Sequence, residues 1–148
     1  MKLRSVLSLF VATLWMNLPV QAADDAAVAA RSAAFELAGA FSANDGYKLR
    51  DGYFSTTLKT GESRFFTVNL YSGNAYWFCV ATSPSVKKIG VTIHDESGKP
   101  LPIQSYCDGF RAAAGLTAAY SGTYYVRLSN LEGGDSSSST ACLLYAYK

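Results

Sequence analysis

The chain is poor in the residues from which reactive sites are most often built. It has one histidine, His94, and three cysteines, Cys79, Cys107 and Cys142, in 148 residues. No CxxC pair occurs, so a structural metal site is disfavoured. No GxSxG elbow presents a serine nucleophile. No DxDxDG-type loop is present, so no cofactor is expected; calcium held by turn carboxylates and carbonyls is the one ligand left open. Charge of one sign is also missing. The 13 basic residues against 11 acidic ones include Lys2 and Arg4, and without that pair eleven of each remain. The balance excludes nucleic acid, and gives no reason for an anionic membrane surface, as partner. Only one long apolar run exists, Val6 to Leu18, and Asp24-Asp25 follows it too soon for a stable membrane span.

That run has a purpose. Lys2 and Arg4 precede it, and Val20-Gln21-Ala22 follows with small residues where a signal peptidase cuts. Residues 1–22 are read as a secretory signal, and the rest as an exported protein of the periplasm or the extracellular space. In an oxidising compartment three cysteines allow one bridge and leave one thiol over, and spacing does not choose the pairing.

The mature chain has the size of one domain. Residues 23–46 (to Gly46) are alanine-rich and predict a short helix. Val28, Phe35, Ala38 and Phe41 recur at helical intervals, Asp24 and Asp25 suit its N-terminus, and Asn44-Asp45-Gly46 ends it. From residue 47 to 148 the pattern changes to short alternating strands. The centre is Phe65 to Thr82, two aromatic and β-branched arms flanking Ser72-Gly73-Asn74, a hairpin or a tight strand-to-strand corner. The second arm is bulky on both faces, as a strand covered on both sides must be. Ile89, Val91 and Ile93 alternate with polar neighbours, which places His94 on the opposite, solvent-facing side. Phe110 to Ala119 predicts a strand despite its alanines, because strands and turns flank it. Glu132 to Thr140 predicts a mobile loop. The fold class is all-β: an antiparallel sandwich of about eight strands, jelly-roll-like, preceded by the helix.

The order of motifs resembles a known family. Leu58-Lys59-Thr60-Gly61-Glu62, Phe66-Thr67-Val68-Asn69-Leu70, Gly73-Asn74-Ala75-Tyr76, Val91-Thr92-Ile93-His94-Asp95 and Ser121-Gly122-Thr123-Tyr124-Tyr125-Val126 follow one another as in bacterial pre-peptidase C-terminal (PPC-like) domains. The resemblance covers Tyr53 to Lys148. It implies a small secreted jelly roll of the kind appended to exported hydrolases, here without a catalytic domain. In a jelly roll the third and eighth strands are neighbours, so the resemblance also implies a Cys79–Cys142 disulfide with Cys107 left near a loop.

Chemistry is sparse. Acidic side chains such as Asp45, Glu62, Asp95 and Asp108 sit beside turn formers, where hydrogen bonding to the backbone explains them better than glycoside hydrolysis does. Ten tyrosines exceed what a small core needs. On an exposed face such rings stack on sugars or anchor a protein ligand. Tyr125, Tyr145 and Tyr147 oppose the phase of the apolar residues in their strands and are the candidate ligand face. The expectation is a non-enzymatic binding module for a polysaccharide or an envelope or secreted protein. The alternatives are an accessory subunit docking through its helix and, less favoured, a small hydrolase.

Overall fold

The computed structural model describes the backbone of residues 20–134 and 137–148, with side chains from Asp24. The signal reading therefore falls almost wholly outside the described residues. One helix, α1 (Val20–Asp45), precedes nine strands: β1 (Lys48–Leu49), β2 (Phe54–Lys59), β3 (Ser63–Leu70), β4 (Ala75–Thr82), β5 (Lys88–His94), β6 (Gln104–Asp108), β7 (Arg111–Thr117), β8 (Gly122–Glu132) and β9 (Ser138–Tyr147). No described helix is long and apolar enough to cross a membrane.

The strands form two antiparallel sheets. One runs β1-β9-β4-β7-β6, with β2 continuing the β1 edge along β9; the other runs β3-β8-β5. The order β2-β9-β4-β7 over β3-β8-β5 is that of a jelly roll, except that β6 joins β7 rather than β5. Ser72-Gly73-Asn74 is the corner of the two readings and not the hairpin: β3 pairs with β8, while β4 pairs with β7 and β9 in the other sheet. Gly73 takes a positive φ of 86°, a conformation that glycine adopts at little cost. Its amide donates to the Ala118 carbonyl (2.9 Å), which ties the corner to the next layer of chain.

Between the sheets lies a core that includes Leu58, Leu70, Tyr76, Phe78, Val80, Ile89, Ile93, Tyr124, Val126, Leu128 and Leu143, all buried. The outer face of the larger sheet is covered as well. Cys79, Ala81, Ala113, Cys142 and Leu144 pack there under Ala30, Ala34, Leu37 and Ala38 of α1. This explains why β4 and β9 are apolar on both faces. It also explains why the alanines of β7 make a strand: each face of that strand meets a crowded neighbour where only small side chains fit.

Three expectations change. The helix is long, 26 residues, and its first turn lies before Asp24 and Asp25. Of the expected stripe, Ala38 and Phe41 face the sheet, whereas Val28 and Phe35 are 53% and 41% exposed; the buried face is Ala30, Ala34, Leu37 and Ala38. Ala30 and Ala34 carry little hydrophobic signal, yet they let a helix approach a sheet closely. Second, Cys79 and Cys142 are not bonded: all three cysteines are free. They do lie on neighbouring strands and face α1 together, but Cys79 stands opposite Leu144 and Cys142 opposite Ala81. Such diagonal neighbours are about 7–8 Å apart, beyond the roughly 4.4–6.8 Å that a disulfide spans between Cα atoms. Third, β8 extends to Glu132 and β9 begins at Ser138, so the expected loop is much shorter.

Candidate functional site

The three candidate tyrosines do not form one face. Tyr125 lies on the outer side of β8, in register with Thr67 and His94. Tyr145 points between the sheets, 4% exposed, with its ring 4.9 Å from that of Phe78. Tyr147, at the end of β9, is 37% exposed and lies 6.5 Å from Tyr76. The phase was read correctly, since Tyr145 and Tyr147 do oppose Cys142 and Leu144. The inference from phase to exposure fails because α1 covers the other side of the strand, so both faces of β9 are interior.

Tyr145 and Tyr147 nevertheless belong to a cleft, with partners that the sequence reading did not single out. The cleft arises where the edge formed by β1 and β2 is interrupted. The Arg50 amide still donates to the Tyr145 carbonyl (3.0 Å), and Phe54 is again in register with Leu143. Between them Asp51, Gly52 and Tyr53 stand against the single residue Leu144, a bulge turned by Gly52 at φ 90°. The bulge throws Tyr53 outward, where its hydroxyl accepts from the Arg31 guanidinium of α1 (3.0 Å). The opposite lip is the end of β3, Thr67 to Asn69, with Tyr71 at the start of the corner.

Two adjoining hollows, of about 310 and about 450 Å³, share Arg50, Asn69, Tyr71 and Tyr145. Asn74, Tyr76 and Tyr147 also line the first, and Asp51, Tyr53 and Phe54 are among those that line the second. Arg50 donates from its guanidinium to the Tyr145 hydroxyl and lies 5.3 Å from the centre of that ring, so its charge is fixed at the junction of the hollows. The Tyr76 hydroxyl accepts from the Tyr71 amide (2.9 Å) and the Asn74 side-chain amide (3.4 Å), which fastens the corner to the cleft floor. Asn69 accepts a hydrogen bond from the Thr123 hydroxyl through Oδ1 (3.3 Å), leaving its Nδ2 group to donate elsewhere. Tyr71 is 68% exposed. A surface of tyrosine rings interleaved with amides and one guanidinium binds by stacking and hydrogen bonding. The signal for it in the sequence was the aromatic-bounded connector Tyr47 to Tyr53 and a tyrosine beside the Ser-Gly-Asn corner.

The remaining polar groups serve the turns. His94, expected at the solvent, is buried beneath the turn that follows it. Nδ1 bonds the Gly98 carbonyl (3.1 Å), Nε2 meets the Thr92 hydroxyl (3.1 Å), and Phe65 lies edge-on at 5.5 Å. A carbonyl only accepts, so Nδ1 carries the proton and, in the neutral ring, Nε2 accepts from Thr92. Asp95 accepts from the Ser97 hydroxyl and from the amides of Ser97 and Lys99, bonds that hold its carboxyl below the usual carboxylate value. Glu62 accepts from the Lys59 amide, and Asp108 pairs with Arg111 at 2.8 Å. Among the described residues no three His, Cys, Asp or Glu side chains converge. A third hollow, of about 550 Å³, lies at the β6–β7 edge, where Leu101, Ile103 and Leu116 join the rings of Tyr47, Trp77, Tyr120 and Tyr124.

No family model matches the chain. No curated protein matches it either. Among solved structures it is similar to that of Aeromonas hydrophila PliG, a periplasmic lysozyme inhibitor of g-type lysozyme, at 11% identity and a TM-score of 0.45, over 66% of this chain and 85% of that one. A likeness at that distance says nothing of what this chain binds.

Proposed function

We propose that this chain is an exported, non-catalytic binding module that holds a polysaccharide or a protein of the envelope or extracellular space in the tyrosine-lined cleft. The observation that carries the reading is Tyr71: a large ring, mostly exposed, beside Asn69 and Arg50 on a lip that packing alone does not require. Exposed aromatics of this kind contribute to binding at low entropic cost. Export rests on the N-terminal segment, and the PPC-like reading rests on the motif order; the jelly-roll strand order supports the latter. The test is retention of partners from the envelope and secreted fractions of the producing cell, including insoluble polysaccharide. Retention is expected with the native protein and loss with Tyr71→Ala and Tyr147→Ala, at unchanged far-UV circular dichroism. Equal retention by the variants would sink the assignment to this cleft.

A second reading has one specific observation behind it. Val28 and Phe35 are exposed one above the other on the solvent side of α1, seven residues and about two helical turns apart. An accessory subunit docking through α1 would use them. Val28→Asp with Phe35→Asp would then release a partner that Tyr71→Ala retains, and the reverse pattern would exclude this reading.

A further inference from the structure

The proposed module leaves its ligand open between glycan and protein, and the make-up of the cleft suits the first. We infer that the occupant is a pyranoside polymer, stacked on Tyr71 and Tyr147 and hydrogen-bonded by Asn69, Asn74 and Arg50. This inference rests on the cleft being the binding surface.

A sugar ring offers two chemistries at once: an apolar face of C–H groups and a rim of hydroxyls that both donate and accept. It is held by flat rings that present a face, and by side chains that mix donors and acceptors in the plane between them. The cleft has this make-up. Its tyrosine rings end in hydroxyls, two carboxamides offer donors and acceptors, the Asp51 carboxylate accepts, and Arg50 supplies fixed donors. The arrangement is also preorganised, because Tyr76 is tied to the corner and Arg50 to Tyr145 before any ligand arrives. The two tyrosine hollows adjoin along one open trough rather than forming a closed cavity. A trough admits the interior of a chain, whereas a closed pocket admits only an end or a monosaccharide, so the class is a polymer.

The experiment is affinity electrophoresis of the purified full chain through native gels cast with hydroxyethyl cellulose, glycol chitin or polygalacturonate, with far-UV circular dichroism on every variant. At least one polymer is expected to retard the native protein. Tyr71→Ala should weaken that retardation about tenfold, and Tyr71→Phe, which keeps the ring, should stay within about twofold of native. Asn69→Ala should weaken it about two- to tenfold, the range for one hydrogen bond. Retardation that Tyr71→Ala leaves unchanged, or no retardation by any of the three polymers, overturns the glycan inference. A protein captured from envelope or secreted fractions and lost in Tyr71→Ala, without retardation by the polymers, overturns it while leaving the binding-module reading intact. Absence of both overturns both.

Discussion

The indole of Trp77 lies flat against the backbone of Gly115, so that a Cβ added there would sit 2.8 Å from the ring. Phe41 of α1 stacks on Trp77 at 4.2 Å, which leaves the indole pressed between a helix residue and a strand that has no side chain at that point. A glycine inside a strand lowers its stability unless something needs the space, and here Trp77 does. Gly115→Ala should therefore destabilise the protein by about 1–3 kcal/mol, the cost of overpacking a filled interior. Urea denaturation followed by far-UV circular dichroism measures it. In a Trp77→Leu background the same change should cost less, because the clash has gone; equal costs in both backgrounds would mean the ring is not the cause.

The thiols beneath α1 give a second test. Burial pushes the Cys79 thiol from an ordinary 9.0 up to about 12, and that of Cys142 up to about 11. Cys107 is exposed. At pH 8 a maleimide should modify Cys107 within minutes, and Cys79 and Cys142 only after denaturant is added. The pH dependence follows from the raised values. Both thiols stay protonated in the folded chain while the unfolded chain ionises above about 9, so their contribution is intact below that pH. It is lost as pH rises toward about 11 for Cys142 and about 12 for Cys79. Each loses about 1.4 kcal/mol per pH unit inside its window. Cys79→Ala should flatten the alkaline fall in urea midpoint, whereas a slope identical to native would remove the thiol from the account.

Tyr71 and Tyr145 line the same hollows but should answer differently to alanine. Tyr145 is buried against Phe78, and Tyr145→Ala should cost about 3–5 kcal/mol as a large core truncation. Tyr71→Ala removes a ring that stands mostly in water and should change stability by less than about 0.5 kcal/mol. Thermal melts of the two variants check this directly. A large loss in Tyr71→Ala would make that ring a structural element and weaken its use as a ligand platform.

The strands were legible wherever alternation met turn formers: Ile89, Val91 and Ile93 in β5 share one buried face, as their period implies. The alanine run from Arg111 to Thr117 was placed as a strand by context. What period cannot report is which layer covers a face. Tyr145 reads as outward-facing only if the other side of β9 is the core, and α1 makes both sides interior. His94 likewise reads as solvent-facing, but the turn from Asp95 to Lys99 folds back so that the Gly98 carbonyl caps its ring. The cleft was illegible for a related reason: Arg50, the pair Asn69 and Tyr71, and Tyr145 come from three separate stretches, brought together by the bulge at Gly52 and the corner at Gly73. Cys79 and Cys142 show the finest level at which sequence fails. The strand pairing that the resemblance implied is present, but a register offset of two residues separates the sulfurs.

The alanine face of α1 carries the last prediction. Ala30, Ala34 and Ala38 are fully buried in one cluster with Cys79, Ala81, Ala113, Cys142 and Leu144, so small side chains make up the helix side of that contact. Hydrophobicity alone would favour a larger side chain there; packing forbids it, because interiors filled to crystal-like density take up an added isobutyl group only by shifting a whole element. Ala34→Leu should therefore destabilise by about 1–3 kcal/mol, although it raises apolar area and gives up little helix propensity. It should also expose Cys79 and Cys142 to maleimide without denaturant, since the helix must lift to admit it. Phe35→Ala, one residue along and on the solvent side, should leave stability within about 0.5 kcal/mol of native and both thiols protected. Denaturation midpoints and mass-resolved thiol labelling of the two variants decide it. A stabilised Ala34→Leu with protected thiols would mean that the seam between α1 and the sheet is looser than its alanines imply.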